Sequence, residues 1–424
     1  LGGGFAGTFT AIHLERLFPR DQIELTLVSR DNFLLFTPML HEVAASDVDV
    51  THIVSPLRQL IRRGVLFNGE VLSIDLARRR VAVTHASGGH PHELEYDHLV
   101  LALGSTTNFF GLPGVAERAL TMKSLADAVA VRGRAIDLLE QADFEAAAGD
   151  RQPLLTFVVA GGGFAGVETI GALNDFVREA LEDYRHLRPG DVRMILVHPG
   201  ETLLPELGED LGRYAAQAIG KRGVEVRLKT SVLGAEEAGV RLSDGEMVSG
   251  ATLIWTAGTA PAAVLRTLPI ADSRGRIPVT ATLAVPDHPG VWALGDAAVI
   301  PDPAGKPYPP TAQHAIREAR TAARNIAAAI RGGTPRPFVF RTIGQLAAIG
   351  RRTGVATIMG HRFSGFLAWF LWRGIYLGKL PRFDRKVRVA IDWLLDLILP
   401  KDLVRLRGPE APEPRPERPL ATAR

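Results

Sequence analysis

The hexapeptide Gly-Gly-Gly-Phe-Ala-Gly occurs twice in this 424-residue chain, at 2–7 and at 161–166. Apolar residues at helical spacing follow each copy, and an apolar, β-branched run at 154–160 precedes the second. In a G-x-G-x-x-G loop the first glycine makes a tight turn, the second admits a pyrophosphate to the backbone, and the third lets helix and strand pack closely. The triads here are Gly2, Gly4, Gly7 and Gly161, Gly163, Gly166, with Phe5, Ala6 and Phe164 inside the loops. One triad is a weak signal. Two, each leading into a helix and a strand, predict two dinucleotide-binding folds.

The repeat runs beyond the loops. Each unit reaches a further strand that ends in small residues and a glycine, at Ala102-Leu103-Gly104 and Thr256-Ala257-Gly258. The pattern predicts helices at 6–18 and 312–330, the latter capped by Thr311, and strands at 23–28, 99–103, 193–198, 224–228, 252–256 and 291–294. Strands alternating with helices mean α/β layers with parallel sheets. The expected architecture is two Rossmann-like domains, each three-layered, plus a C-terminal amphipathic helical membrane-association region. The expected division is a first dinucleotide-binding domain at 1–115 and 271–335, a second at 116–270, a C-terminal region at 336–407 and a Pro-rich, disordered tail at 408–424. The chain starts inside the first motif without Met, which reads as a truncated first strand.

Composition narrows the chemistry. With no cysteine, the chain has no disulfide, thiolate metal site or dithiol redox centre. A net charge of +3 gives no nucleic-acid signal. No metal site is expected. No apolar run approaches the ~18 residues that span a bilayer.

An acid about 20 residues after such a loop grips a ribose hydroxyl. The first unit has Ser29-Arg30-Asp31 there, with Ser29 at the acid's place. The second has His198-Pro199-Gly200-Glu201, making Glu201 its best acid, and no arginine in that turn to receive a 2′-phosphate. That favours NADH over NADPH. Two nucleotides in one chain suggest one held permanently and one exchanging, and a flavin suits the held position.

Further segments sharpen this: 33–40 (FLLFTPML), Gly161–Glu168, 173–181 (LNDFVREAL), Gly295-Asp296, Pro310–Ala315 (PTAQHA) and 362–372 (RFSGFLAWFLW). With these, the chain resembles the two-domain flavoproteins, and within them the type II (alternative) NADH:quinone oxidoreductases. The resemblance implies FAD on the first unit, NADH as substrate on the second, and a quinone near the flavin at a membrane surface. It implies that Asp296 bonds the FAD ribityl chain and that Thr37 and Pro38 lie near the flavin. It gives Glu168 a part in hydride or proton handling and puts Gln313 at the flavin–quinone junction, these two being the catalytic candidates, with Ala312 among the cofactor-binding residues. It also implies a peripheral enzyme on the cytoplasmic face of a bacterial inner membrane, without proton pumping. Arg317 stands where the family's A-Q-x-A-x-Q pattern carries a second glutamine. The plainer alternatives are a backbone-bonded helix-start residue for Gln313, an acid complementing the helix dipole for Glu168, and a packing role for His314.

The stretch 385–399 reads as an amphipathic helix, with Val387, Ala390, Ile391, Leu394, Leu395 and Ile398 on one side and Arg385, Arg388, Asp392 and Asp396 on another. Phe363, Phe366, Trp369, Phe370 and Trp372 add interface aromatics. Lys379, Arg382, Lys386, Lys401, Arg405 and Arg407 add charge for an anionic lipid surface. The competing expectation is packing on the chain's own core or on a homodimer partner. Rival functions are a soluble NAD(P)H reductase with another acceptor and a non-catalytic nucleotide-sensing flavoprotein.

Overall fold

The computed structural model describes residues 1–85, 88–145, 148–272 and 274–405, so Arg407 and the expected tail lie outside the described residues. The second glycine unit forms a five-stranded, all-parallel sheet. Its order is Val224–Arg227, Arg193–Val197, Thr156–Ala160, Thr252–Trp255, Leu120–Thr121. The Thr156–Ala160 strand is buried on both faces, which suits its continuous apolar run. Two helices cover this sheet. Phe164–Ala180 follows the glycine loop, and Leu125–Phe144 starts at a capping box made by Ser124 and Asp127.

The first unit is less regular. Thr26–Ser29 pairs in parallel with Val65–Asp75, which continues antiparallel into Arg80–His85 and His92–Glu95. Leu99–Leu101 pairs in parallel with Val291–Ala293, so the chain returns to this unit after the second is complete. Leu1 and Gly2 stitch these pieces together. The Leu1 amino group donates to the Val100 carbonyl (2.7 Å), Ala102 N–H donates to the Leu1 carbonyl (3.0 Å), and Gly2 N–H donates to the Val28 carbonyl (2.8 Å). Helix Phe5–Leu17 packs along Ala312–Ile330, whose small buried residues Ala315, Ala319 and Ala322 allow close approach. Where the chain passes between the units, Ser105–Thr107 and Thr259–Pro261 pair antiparallel.

The C-terminal region departs from the helical expectation. A three-stranded antiparallel sheet, Gly344–Gly350, Thr353–Ile358 and His361–Ser364, precedes helices Gly365–Lys379 and Phe383–Leu395. Trp372 is a core residue, not an interface aromatic: it fills the space between the C-terminal helices and the second unit, while Trp369 is buried against Phe366 and Arg373 of its own helix. Lys401 is also buried, between Asp47 and Asp396, and Arg405 pairs with Asp137 (2.9 Å), so neither is free for lipid. The apolar side of the last helix points outward: Val387, Ile391, Leu394 and Leu395 are exposed, as is Ile398 beyond the helix end. Its polar side is tied inward, with Asp392 meeting His52 Nδ1 at 2.5 Å. No described helix is long and apolar enough to cross a membrane.

Candidate functional site

The two glycine loops adopt the same geometry. Gly2 and Gly161 have φ +103° and +118°, a region open mainly to glycine. A Cβ on Gly7 would lie 1.9 Å from the Gly2 carbonyl oxygen, and one on Gly166 would lie 1.8 Å from that of Gly161. Each third glycine therefore sets how near the helix comes to its strand. By contrast, a Cβ on Gly4 or Gly163 would meet nothing within 4 Å. Each of these glycines is the N-cap of its helix, and no side chain caps either end. The first-turn N–H groups thus face open space, as a phosphate site requires.

Both helix starts border one continuous cavity of about 1520 Å³. Phe5, Thr37, Pro38, Ala312 and Gln313 line it from the first unit; Phe164, Glu168, Thr256 and Gly258 line it from the second; Tyr376 and Lys379 close it from the C-terminal region. A single small-molecule site occupies about 300–1,000 Å³. The space suits two ring systems meeting face to face, and the open cradles at Gly4 and Gly163 fit two pyrophosphates.

The turn at Gly295-Asp296 is held from several sides. Gly295 N–H donates to Glu318 Oε2 (2.8 Å), and Ser105 Oγ donates to Asp296 Oδ2 (2.6 Å). Lys123 Nζ donates to Ser105 Oγ (2.8 Å) and lies 3.9 Å from Asp296. Burial pushes the Glu318 carboxyl up to about 7. Glu318 sits on the buried stripe of the Ala312–Ile330 helix, among alanines. An acid on an apolar face was the available signal for it, and the sequence reading missed it. Gly104, φ +66°, has open space where its Cβ would be, and Ala102 packs under Gly7.

Glu168 is turned inward from its helix and is buried. Its Oε1 accepts from Ala348 N–H (3.1 Å) and Trp372 Nε1–H (3.0 Å), and its Oε2 lies 3.8 Å from His41 Nδ1. Burial raises its carboxyl to about 8 and lowers the His41 imidazole to about 3. Both are neutral at pH 7. Neighbouring Glu42, also buried, accepts from Trp393 Nε1–H and is raised to about 7, chiefly by burial. No sequence periodicity announces His41 and Glu42, because the donors that hold this cluster come from helices some 200 to 350 positions away.

Gln313 borders the cavity, but its amide is occupied. Nε2–H donates to the Gly344 carbonyl (3.1 Å), and Oε1 accepts from Ile343 N–H (3.1 Å). Arg317 donates to the Gln313 carbonyl (3.0 Å) and lies over the Phe340 ring at 4.3 Å. His314 Nδ1 meets Thr311 Oγ1 at 2.8 Å, and Thr311 caps His314 N–H, a supporting arrangement.

The strand-end residues are not equivalent. Ser29 is buried against Gly3 and donates to the Asp31 carbonyl (2.7 Å). Arg30 is exposed beside Asp31. His198 Nδ1 accepts from Gly162 N–H (3.1 Å), and burial lowers its imidazole. Glu201 is 82 % exposed, pairs with Lys229 Nζ (2.9 Å) and does not line the main cavity. Ala257 lies between Thr256, whose hydroxyl donates to the Ala160 carbonyl (2.7 Å), and cavity-lining Gly258.

Residues 1–319 match the family described as Pyridine nucleotide-disulphide oxidoreductase, and 343–402 match the NDH2 C-terminal domain. The chain is 32 % identical to the Type II NADH:quinone oxidoreductase Ndh of Mycobacterium tuberculosis, over 94 % of this chain and 87 % of that protein. It is 27 % identical to an internal alternative NAD(P)H-ubiquinone oxidoreductase of Arabidopsis thaliana, over 96 % and 85 %. Among solved structures, NDH2 of Plasmodium falciparum in complex with NADH shares the fold, with a TM-score of 0.89 at 19 % identity, covering 95 % of this chain and 98 % of that one.

Proposed function

This chain belongs to the type II NADH:quinone oxidoreductases, and from that premise we propose that it oxidises NADH through FAD and reduces a membrane quinone at the cytoplasmic face of a bacterial inner membrane, without pumping protons. The observation that carries this reading is the single cavity onto which both glycine-loop helices and the C-terminal helices open. When bound, FAD takes a hydride from NADH and passes two electrons to the quinone.

The residues then divide the work. Gly2, Gly4 and Gly7 hold the FAD pyrophosphate; Gly161, Gly163 and Gly166 hold that of NADH. Asp296, oriented by Ser105 and Lys123, takes the ribityl hydroxyls. Thr37 and Pro38 line the wall beside the ring, and the N-terminus of Ala312–Ile330 offers its partial positive charge to the ring's pyrimidine edge. Gln313 joins that helix to the Ile343–Gly344 backbone and so fixes the cavity's third wall. Glu168, protonated at neutral pH and beside His41, holds a proton at the cavity wall. Glu201 reaches the nicotinamide nucleotide's adenosine ribose by displacing Lys229. The outward apolar side of Phe383–Leu395 favours a peripheral seat on the bilayer. In this reading the FAD-binding domain is 1–115 with 271–335, the NADH-binding domain is 116–270, and the membrane-association region begins at 336.

The test is optical. Purified protein is yellow, bleaches with NADH and recolours with a short-chain quinone. Bleaching without quinone recolouring favours a reductase with another acceptor, and no bleaching favours a nucleotide sensor.

A further inference from the structure

The main cavity runs along the groove between helices Phe5–Leu17 and Ala312–Ile330 and passes His13, Arg16 and Arg320. These three residues also border a notch of about 420 Å³, completed by Leu17 and Arg324. Arg16, Arg320 and Arg324 have no carboxylate partner among the described residues. The nearest acid along the same helix, Glu15, is already engaged: it accepts from the backbone N–H groups of Arg62, Arg63 and Gly64. Arg320 and Arg324, four apart on one helix face, repel each other, and Arg16 faces them from the other helix. Three guanidinium groups around a concave space, with no internal counter-charge, form a receptor for a phosphate group.

The notch's setting selects the occupant. The cavity that it joins is also bordered by Lys379, Arg382 and Phe383. Phe383 is 79 % exposed and begins the helix whose apolar side is uncovered. A phosphate held in the notch is thus connected, along one groove, to a surface built for acyl chains. We infer that the Arg16–Arg320–Arg324 notch binds the phosphate of an anionic phospholipid headgroup and anchors the cavity mouth at the bilayer surface. This rests on the peripheral-membrane part of the proposed function. It makes the two nucleotide-fold helices, as well as the C-terminal pair, part of the membrane contact. Headgroup binding holds the groove flat against the lipid from which a quinone enters.

The experiment uses flavin-loaded full-length protein sedimented with two kinds of vesicle, pure phosphatidylcholine and phosphatidylcholine partly replaced by phosphatidylglycerol. Wild-type protein gains affinity from phosphatidylglycerol. Arg320→Gln/Arg324→Gln loses about thirtyfold of that gain, from roughly fivefold per arginine at an anionic surface, and keeps its phosphatidylcholine binding. Arg16→Gln, which removes the notch's third arginine from the other helix, loses about fivefold, so a folding defect in the double variant does not decide the matter. Lys386→Gln/Arg388→Gln, on the last helix, loses less than the notch variant. Full retention of the gain by both notch variants overturns the inference, as does an equal loss in the Lys386/Arg388 variant, which means diffuse attraction. Inorganic phosphate that raises the melting temperature of wild type but not of the notch variant, with no dependence on vesicle charge, assigns the site to free phosphate and overturns the lipid reading. Failure to reduce a short-chain quinone in lipid-free solution sinks the proposed activity while leaving the vesicle result standing.

Discussion

The two glycine loops share a sequence and a backbone, yet the helices that leave them do different things. Phe9 and Glu168 occupy the same position, two residues past the hexapeptide. Phe9 adds an apolar wall to the cavity. Glu168 brings a carboxyl that is buried, neutral and bonded to Ala348 and Trp372 of the C-terminal region. The middle glycines differ too: Gly3 lies against the Ser29 hydroxyl, whereas Gly162 donates its N–H to His198. A phosphate cradle can therefore be duplicated without duplicating its chemistry. The loop sets the shape of the cradle, and the helical turn that follows it sets which side chain the cavity wall receives.

The largest test of this comparison places the same clash in each loop. We predict that Gly7→Ala, whose Cβ would lie 1.9 Å from the Gly2 carbonyl, yields protein without flavin. Gly166→Ala, with 1.8 Å to the Gly161 carbonyl, should stay yellow and lose about 100-fold or more in kcat/KM for NADH. Absorbance spectra and stopped-flow bleaching report both. The reverse pattern inverts the assignment of the two nucleotides.

Glu168→Gln comes next. A glutamine oxygen can still accept from Ala348 and Trp372, so the fold and flavin content should hold while kcat falls about 100-fold. An unchanged kcat would reduce Glu168 to a packing acid like any other.

The same carboxyl makes a thermodynamic prediction. Its folded value of about 8 lies above the ordinary 4.5, so the native state binds the proton more tightly than the unfolded chain does. Both states are protonated below 4.5 and no penalty applies. Stability then declines as pH rises through the window from 4.5 to 8, and the full penalty is present above it. Glu42 and Glu318, each at about 7, act in the same direction over a narrower window. Urea melts of wild type and Glu168→Gln across pH 5 to 9 should show a shallower decline in the variant; parallel curves would mean that the group is not buried in solution.

The smallest effect belongs to Glu201→Ala. Removing a ribose contact shared by ground and transition states should raise KM for NADH a few-fold and leave kcat alone. Because Glu201 is exposed and paired with Lys229, that pair itself adds little. A KM unmoved by the substitution would leave the second loop, like the first, without an acid on its ribose.

Both glycine turns, four of the five strands of the second unit and the span of the Ala312–Ile330 helix were legible from the chain alone, because glycine geometry and hydrophobic period act locally; the order of those strands and the short edge strand Leu120–Thr121 were not. The C-terminal sheet was not. Its strands pair with one another across tight turns, but the first two are rich in Gly and Ala, and the cover for their apolar side comes from the sequence-distant Phe164–Ala180 helix. Gln313 was expected at the flavin–quinone junction; it borders the cavity, and its amide partners Ile343 and Gly344, at the start of that sheet, had no signal in the sequence.

Local pattern therefore determined where two nucleotides could bind and in which layers the chain would stack. Tertiary packing decided the ionisation of Glu168, Glu42 and Glu318, the inward turn of Trp369 and Trp372, and the outward turn of the last helix's apolar side. The reason is physical. A glycine's dihedral freedom travels with the residue, whereas the charge state of a carboxyl and the partner of a greasy face depend on what distant parts of the chain bring to within a few ångströms.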